Sequence, residues 1–259
     1  MPAGSPADMA QHRRDLEDAR EQARQAELAR IERERPQLVA AARAQARQEE
    51  QDRRQQEEKQ AQERRLNYPR PEWLPTKGRH VGVVGASGVG KSTFLNIVRG
   101  LEENDVGGAE TGETETTMEP TEYEHPALKV SFWDLPGAGT LRFPLETYVQ
   151  KMGLKYFEAV LILKAGYVTE TDIMLLEDLR RQPQHIPHFY VHNKVDEDVD
   201  SGLRKGKTSN AVLEALRQDM ASRTGVSSDR IYVISSYEEN RHHFDFQKLE
   251  RDLMQALRP

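Results

Sequence analysis

The hydrophobic pattern of the chain changes character near residue 67. Over residues 1–66 the larger apolar side chains, Leu16, Leu28, Ile31 and Leu38, are too sparse for a sustained heptad seam. Between Val39 and Leu66 nothing apolar is larger than alanine. Glu49 and Arg53, and Glu50 and Arg54, have the four-residue spacing that supports an exposed helix by about 0.2–0.5 kcal/mol per pair. The pattern predicts a solvated, charged helical extension. Pro36 would interrupt it or begin a second helix. A short coiled coil or a partner-binding helix is the other use such a segment could have. The stretch "NYPRPEWLPTKGRH" (67–80) carries three prolines and cannot continue a helix, so 67–79 reads as a linker.

From residue 80 to 259 short bulky runs alternate with helical stripes. "HVGVV", "KVSFWD", "FEAVLIL", "HFYVH" and "RIYVIS" predict strands. "NAVLEALRQDM" places Val212, Leu213, Leu216 and Met220 on one helical face. "DFQKLERDLMQAL" does the same with Phe246, Leu249, Leu253 and Leu257, and Asp245 stands where it can cap. Alternation of this kind predicts an α/β domain with a mostly parallel sheet covered by helices on both faces. Such sheets bind ligands at the carboxyl ends of their strands.

Composition narrows the classes. There is no cysteine, which excludes a disulfide framework and thiolate chemistry. No apolar run approaches the roughly 18–20 residues that span a bilayer, and "MPAGSPADMA" is neither a signal core nor a myristoylation start. Residues 1–66 hold fourteen basic and fourteen acidic side chains, so the net charge of -6 belongs to the remainder. That balance, without a basic patch interleaved with aromatics, argues against nucleic acid as a partner. The expectation is a soluble cytoplasmic protein, with peripheral membrane association left open and unsupported by this chain.

Candidate chemistry begins at "GASGVGKST" (85–93), between the first strand and the helical "FLNIVRG". Gly85, Ala86, Ser87, Gly88, Val89, Gly90, Lys91 and Ser92 fit G-x-x-x-x-G-K-[ST] in the strand–loop–helix context that the pattern requires, and Thr93 follows. Glycines let backbone N–H groups approach phosphate oxygens, and the helix start adds its dipole. Lys91 would reach the β- and γ-phosphates and Ser92 would ligate Mg²⁺. Asp134, ending a strand, lies three residues before Gly137. This D-x-x-G sets a carboxylate near the metal and a glycine N–H near the γ-phosphate. In the polar run "AETGETETTMEP", Thr117 is the candidate that ligates Mg²⁺ when the γ-phosphate is present, with Thr116 as fallback.

Base choice is read from "VHNKVDED". The Asp196 carboxylate can accept from the guanine N1–H and exocyclic amine, a pair that adenine lacks. Asn193 would meet the far edge and the Lys194 stem would lie along the ring. Ser235 and Ser236, after the last strand, would bring backbone donors to the guanine carbonyl. His242 and His243, and His185, His188 and His192, lack helical ligand spacing and read as solvated or capping side chains.

With these residues in place, the chain resembles the immunity-related GTPases, the interferon-inducible type, over roughly residues 66–259. The likeness rests on "TGETETTMEPTEYEHP", "VSFWDLPGAGTLRFPLETYVQKM" and "HHFDFQKL". The resemblance implies a Ras-like P-loop G domain that binds GTP and GDP with Mg²⁺ and forms nucleotide-dependent dimers or oligomers through nucleotide faces. It also implies that Glu115, two residues before the magnesium threonine, contributes to hydrolysis across a dimer. Relatives carry a helical domain flanking the G domain, whereas here the sequence stops just after the last G-domain helix. Membrane attachment, which in the family depends on lipidation or on that domain, therefore does not carry over. Gly90-Lys91-Ser92 is the lysine form of the loop. Where Ras-like enzymes place a glutamine, this chain has Ala138, which cannot orient a water. Slow intrinsic hydrolysis stimulated by self-association is the resulting expectation; the alternative is a GTP-dependent switch or scaffold with negligible turnover.

Overall fold

The structure, a computed structural model, describes residues 6–102, 104–111, 119–182 and 185–258. The chain forms two compact units, Met1–Glu63 and Arg64–Pro259. In the first, helix α1 (Pro6–Leu66) continues through Pro36. Proline removes one ladder bond there, and at an exposed site the freed carbonyl can be hydrated, so the helix need not end. Its exposed pairs include Glu50 with Arg54 at 2.8 Å, as the spacing predicts. Glu49, however, accepts from Gln45 at 2.9 Å, and Arg53 stands 3.9 Å from Glu57. Leu16, Leu28 and Ile31 are all exposed. Among the described residues no helix is long and apolar enough to cross a membrane.

The second unit contains β1 (His80–Val84), α2 (Lys91–Arg99), β2 (Thr121–Glu124), β3 (Ser131–Asp134), α3 (Leu145–Lys151), β4 (Ala159–Lys164) and α4 (Glu170–Arg180). It continues with β5 (His188–His192), α5 (Val195–Arg204), α6 (Ser209–Thr224), β6 (Ile231–Val233) and α7 (Phe246–Ala256). The sheet order is β2-β3-β1-β4-β5-β6, with β2 antiparallel to β3 and the other pairs parallel. β1 lies between β3 and β4, so the chain reverses its direction across the sheet at the carboxyl end of β1. Ligand crevices form at such points.

Strand alternation splits the core in two. Val81, Val83, Leu161, Leu163 and Val191 face α2 and α7, where Phe94, Leu95, Phe246 and Leu253 cover them. Val160, Ile162, Tyr190 and Val233 face the other way, toward Tyr148, Leu175, Leu176, Val199, Val212 and Met220. The proline-rich stretch contributes to this second layer. Tyr68 and Leu74 are buried, and the Trp73 ring lies 5.0 Å from that of Trp133. Tyr156 donates to the Tyr68 carbonyl at 2.7 Å, and the Lys155 N–H donates to the Tyr68 hydroxyl at 3.1 Å. Asp245 precedes α7, but its side chain makes no cap bond. It accepts instead from the Val233 N–H at 2.9 Å and pairs with Arg217 at 2.6 Å, tying α7 to β6 and α6.

Candidate nucleotide site

The glycine-rich loop leaves the fully buried strand β1 and turns into α2. A Cβ on Gly85 would stand 2.3 Å from the Leu163 carbonyl oxygen, so only glycine fits against β4 there. Gly90 starts α2 in the left-handed region at φ 87°, and its Cβ would stand 2.6 Å from Asn193 Nδ2. Between them Ala86, Ser87 and Gly88 are exposed, so the crest of the loop opens to solvent. Lys91 folds back over this crest, its ammonium donating to the carbonyls of Gly85 at 3.2 Å and Ala86 at 3.3 Å. Ser92 and Thr93 are half-buried in the first turn of α2.

Asp134 ends β3 opposite Val83 of β1, which brings a buried carboxylate beside the root of the loop. The segment after it is held from below: the Tyr148 hydroxyl donates to the Pro136 carbonyl at 2.7 Å. Burial, with Asp134 nearby, pushes the Tyr148 phenol far above its ordinary range, so it remains a donor at any working pH. Gly137 is buried and Ala138 packs against the core.

The third part comes from β5 and β6. Asn193 is 1% exposed, and its carboxamide bridges two loops. Its Nδ2 donates to the Val89 carbonyl at 2.9 Å, and its Oδ1 accepts from the Ser236 N–H at 3.1 Å and hydroxyl at 2.9 Å. The phosphate loop and the segment after β6 are thus joined through one side chain. Ser235 is fully buried and accepts from Asn240 Nδ2 at 3.0 Å. Lys194 takes φ 63°, which lets the chain turn from β5 directly into α5. Asp196 lies in the first turn of α5, and its Oδ1 is buried with no hydrogen-bond partner among the described residues. A buried carboxylate oxygen without a donor is costly, so a ligand donor is expected there.

Asn193, Ser235, Ser236, Asp134 and the loop 85–93 therefore converge on one end of the sheet. Glu115, Thr116 and Thr117 lie outside the described residues. Several contributors escape motif reading. Asn96 and Arg99 are buried polar residues on the otherwise apolar α2. Asn96 exchanges two hydrogen bonds with the Ala109 backbone, at 2.9 and 2.6 Å. Arg99 donates to the Gly107 carbonyl at 2.9 Å and lies over the Tyr123 ring at 4.8 Å. The helix that carries Lys91 thereby holds both the segment entering 112–118 and the strand leaving it. Two polar residues interrupting "FLNIVRG" were the available signal.

A sequence profile of the family described as "Interferon-inducible GTPase (IIGP)" matches residues 76–259. The chain is 32% identical over 186 residues to interferon-gamma-inducible GTPase 10 of Mus musculus, covering 69% of this chain and 43% of that protein. It is 34% identical over 185 residues to T-cell-specific guanine nucleotide triphosphate-binding protein 2 of Mus musculus, covering 69% and 44%. Interferon-inducible GTPase 5 of Rattus norvegicus is 34% identical over 171 residues, covering 63% and 36%. The chain thus spans less than half the length of these curated relatives. A solved structure of Era in complex with MgGDPNP and nucleotides of 16S ribosomal RNA aligns at TM-score 0.48 and 19% identity, over 70% of this chain and 57% of that one.

Proposed function

The chain belongs to the interferon-inducible GTPase family, and from that premise we propose that it binds GTP and hydrolyses it to GDP and phosphate. The observation that carries the proposal is the Asn193 bridge. It joins the glycine loop to the segment after β6, three residues before Asp196, whose buried Oδ1 has no hydrogen-bond partner among the described residues.

In this reading the N–H groups of residues 86–92 and the Lys91 ammonium bind the phosphates, and the Gly137 N–H adds to the γ-phosphate. Asp196 accepts from guanine N1–H and the exocyclic amine. Asn193 and the Lys194 stem border the ring, and the backbone at Ser235 and Ser236 faces the guanine carbonyl. The Ser92 hydroxyl and the Asp134 carboxylate, hard oxygen donors on adjoining elements, suit Mg²⁺, with Thr117 as a further ligand. Mg²⁺, when bound, neutralises charge on the phosphate oxygens. The chain's own contribution is to hold the triphosphate in line and to exclude water other than the attacking one.

Ala138 offers that water no hydrogen bond, so intrinsic turnover is slow. Glu115 contributes when two G domains meet by their nucleotide faces. Calorimetry with magnesium present should give strong binding of GTP and GDP and none of ATP; equal affinity for ATP would overturn the proposal. Asp196→Asn should shift preference toward xanthosine nucleotides, which carry an oxygen where guanine carries the amine. Turnover per molecule should rise with protein concentration, and Glu115→Ala should abolish that rise while GTP affinity stays. Ala138 also favours a second reading, a GTP-dependent scaffold, and a rate that is negligible at every concentration would select it.

A further inference from the structure

His192 closes β5 and is fully buried. Its Nε2 lies 2.6 Å from Asp198 Oδ2, while its Nδ1 is buried with no hydrogen-bond partner among the described residues. An aliphatic residue would fill this place without stranding a polar atom, so the imidazole must be explained by the bond it makes. Asp198 stands two residues beyond Asp196 on α5. At 3.6 residues per turn the two side chains leave the helix roughly 200° apart. Asp198 reaches the His192 imidazole at the end of β5, so Asp196 leaves the helix on another side.

We infer that His192 is a positioning residue for purine choice: by holding Asp198 it sets the rotation of α5, and with it the aim of the Asp196 carboxylate. The inference rests on the proposed role of Asp196 in reading guanine. Two backbone bonds fix where α5 begins, Val195 N–H to the Ile234 carbonyl at 3.1 Å and Glu197 N–H to the Lys194 carbonyl at 3.1 Å. The strand below is itself well fixed, since the His192 carbonyl accepts from the Ile234 N–H at 2.8 Å. The buried Lys164 stands beside His192 in the β4–β5 register, and its ammonium donates to the Gly166 carbonyl. A carboxylate that accepts two parallel donors is sensitive to its angle, because a small rotation breaks one bond before the other.

The test compares affinities for GDP and inosine diphosphate, which keeps N1–H and lacks the exocyclic amine. The full chain is used, with thermal midpoints recorded alongside. The wild type should prefer GDP by roughly tenfold or more, the effect of one hydrogen bond to a charged acceptor. His192→Leu should bring the two affinities within about threefold of each other, whereas His192→Gln, which restores a donor to Asp198, should recover the preference. If His192→Leu lowers the midpoint but leaves the GDP preference intact, His192 serves packing alone and the inference falls. Should His192→Leu not fold, Asp198→Ala tests the same bond from its half-buried partner, and an unchanged preference there overturns the inference equally. A wild type without GDP preference would instead remove the proposed role of Asp196 itself.

Discussion

At the residue scale, two positions tolerate almost nothing else. Gly90 combines a left-handed φ with a Cβ position 2.6 Å from Asn193, so Gly90→Ala strains the backbone and displaces the clamp at once. The backbone cost alone is about 1–2 kcal/mol. Nucleotide affinity should fall at least about tenfold, measured by fluorescence titration with a labelled GDP. Asn193 shows why a motif reading is incomplete even when its residues converge. The spacing N-K-x-D points to a base, but the carboxamide also holds Val89 and Ser236, which lie far off in sequence. No local pattern announces that pairing.

At the element scale, α2 is the lever. Its first turn carries Lys91 and Ser92, and its last carries the contacts of Asn96 and Arg99 to residues 107–109. Asn96→Leu would leave the buried N–H and C=O of Ala109 unmet, at about 1–3 kcal/mol for each group. Urea unfolding of this variant should show a loss of about 2–6 kcal/mol. The proline-rich stretch behaves as part of its domain. A chain starting at Arg64 should keep the unfolding midpoint of the G-domain unit, because Leu16, Leu28, Ile31 and Val39 of α1 are exposed. A chain starting at residue 76 loses Tyr68, Trp73 and Leu74, and should be destabilised by about 3–5 kcal/mol or more.

Across the whole molecule, the site stands at the carboxyl ends of the strands, and acid sensitivity arises partly elsewhere. Burial, ahead of the neighbouring Arg180, His185 and Arg230 charges, lowers the pKa of His188 at the start of β5. Burial likewise lowers that of His125. The unfolded chain then binds protons more readily than the folded one, so stability rises with pH through this range. The contribution is complete above the unfolded value of about 6.5 and is lost as pH falls below it. Denaturation midpoints measured from pH 8 to pH 5 should therefore decline on the acid side, and His188→Gln should flatten part of that decline.

Hydrophobic period, turn chemistry and one glycine-rich stretch were enough to assign five of the strands, the mostly parallel sheet and the loop at the carboxyl end of β1, while the polar, exposed edge strand β2 (Thr121–Glu124) carries no apolar run and escaped them. Each of these depends on neighbours within a few residues. The burial of Tyr68 and Leu74 and the use of Asp245 as a tie between β6 and α6 depend on contacts between distant segments. So do the Asn193 bridge and the Asn96 clamp, whereas the His192–Asp198 bond needs only the turn from β5 into α5. A local pattern specifies which way a side chain faces along its own strand or helix. What that side chain meets is settled by packing, where buried polar groups must find partners wherever the chain has brought them.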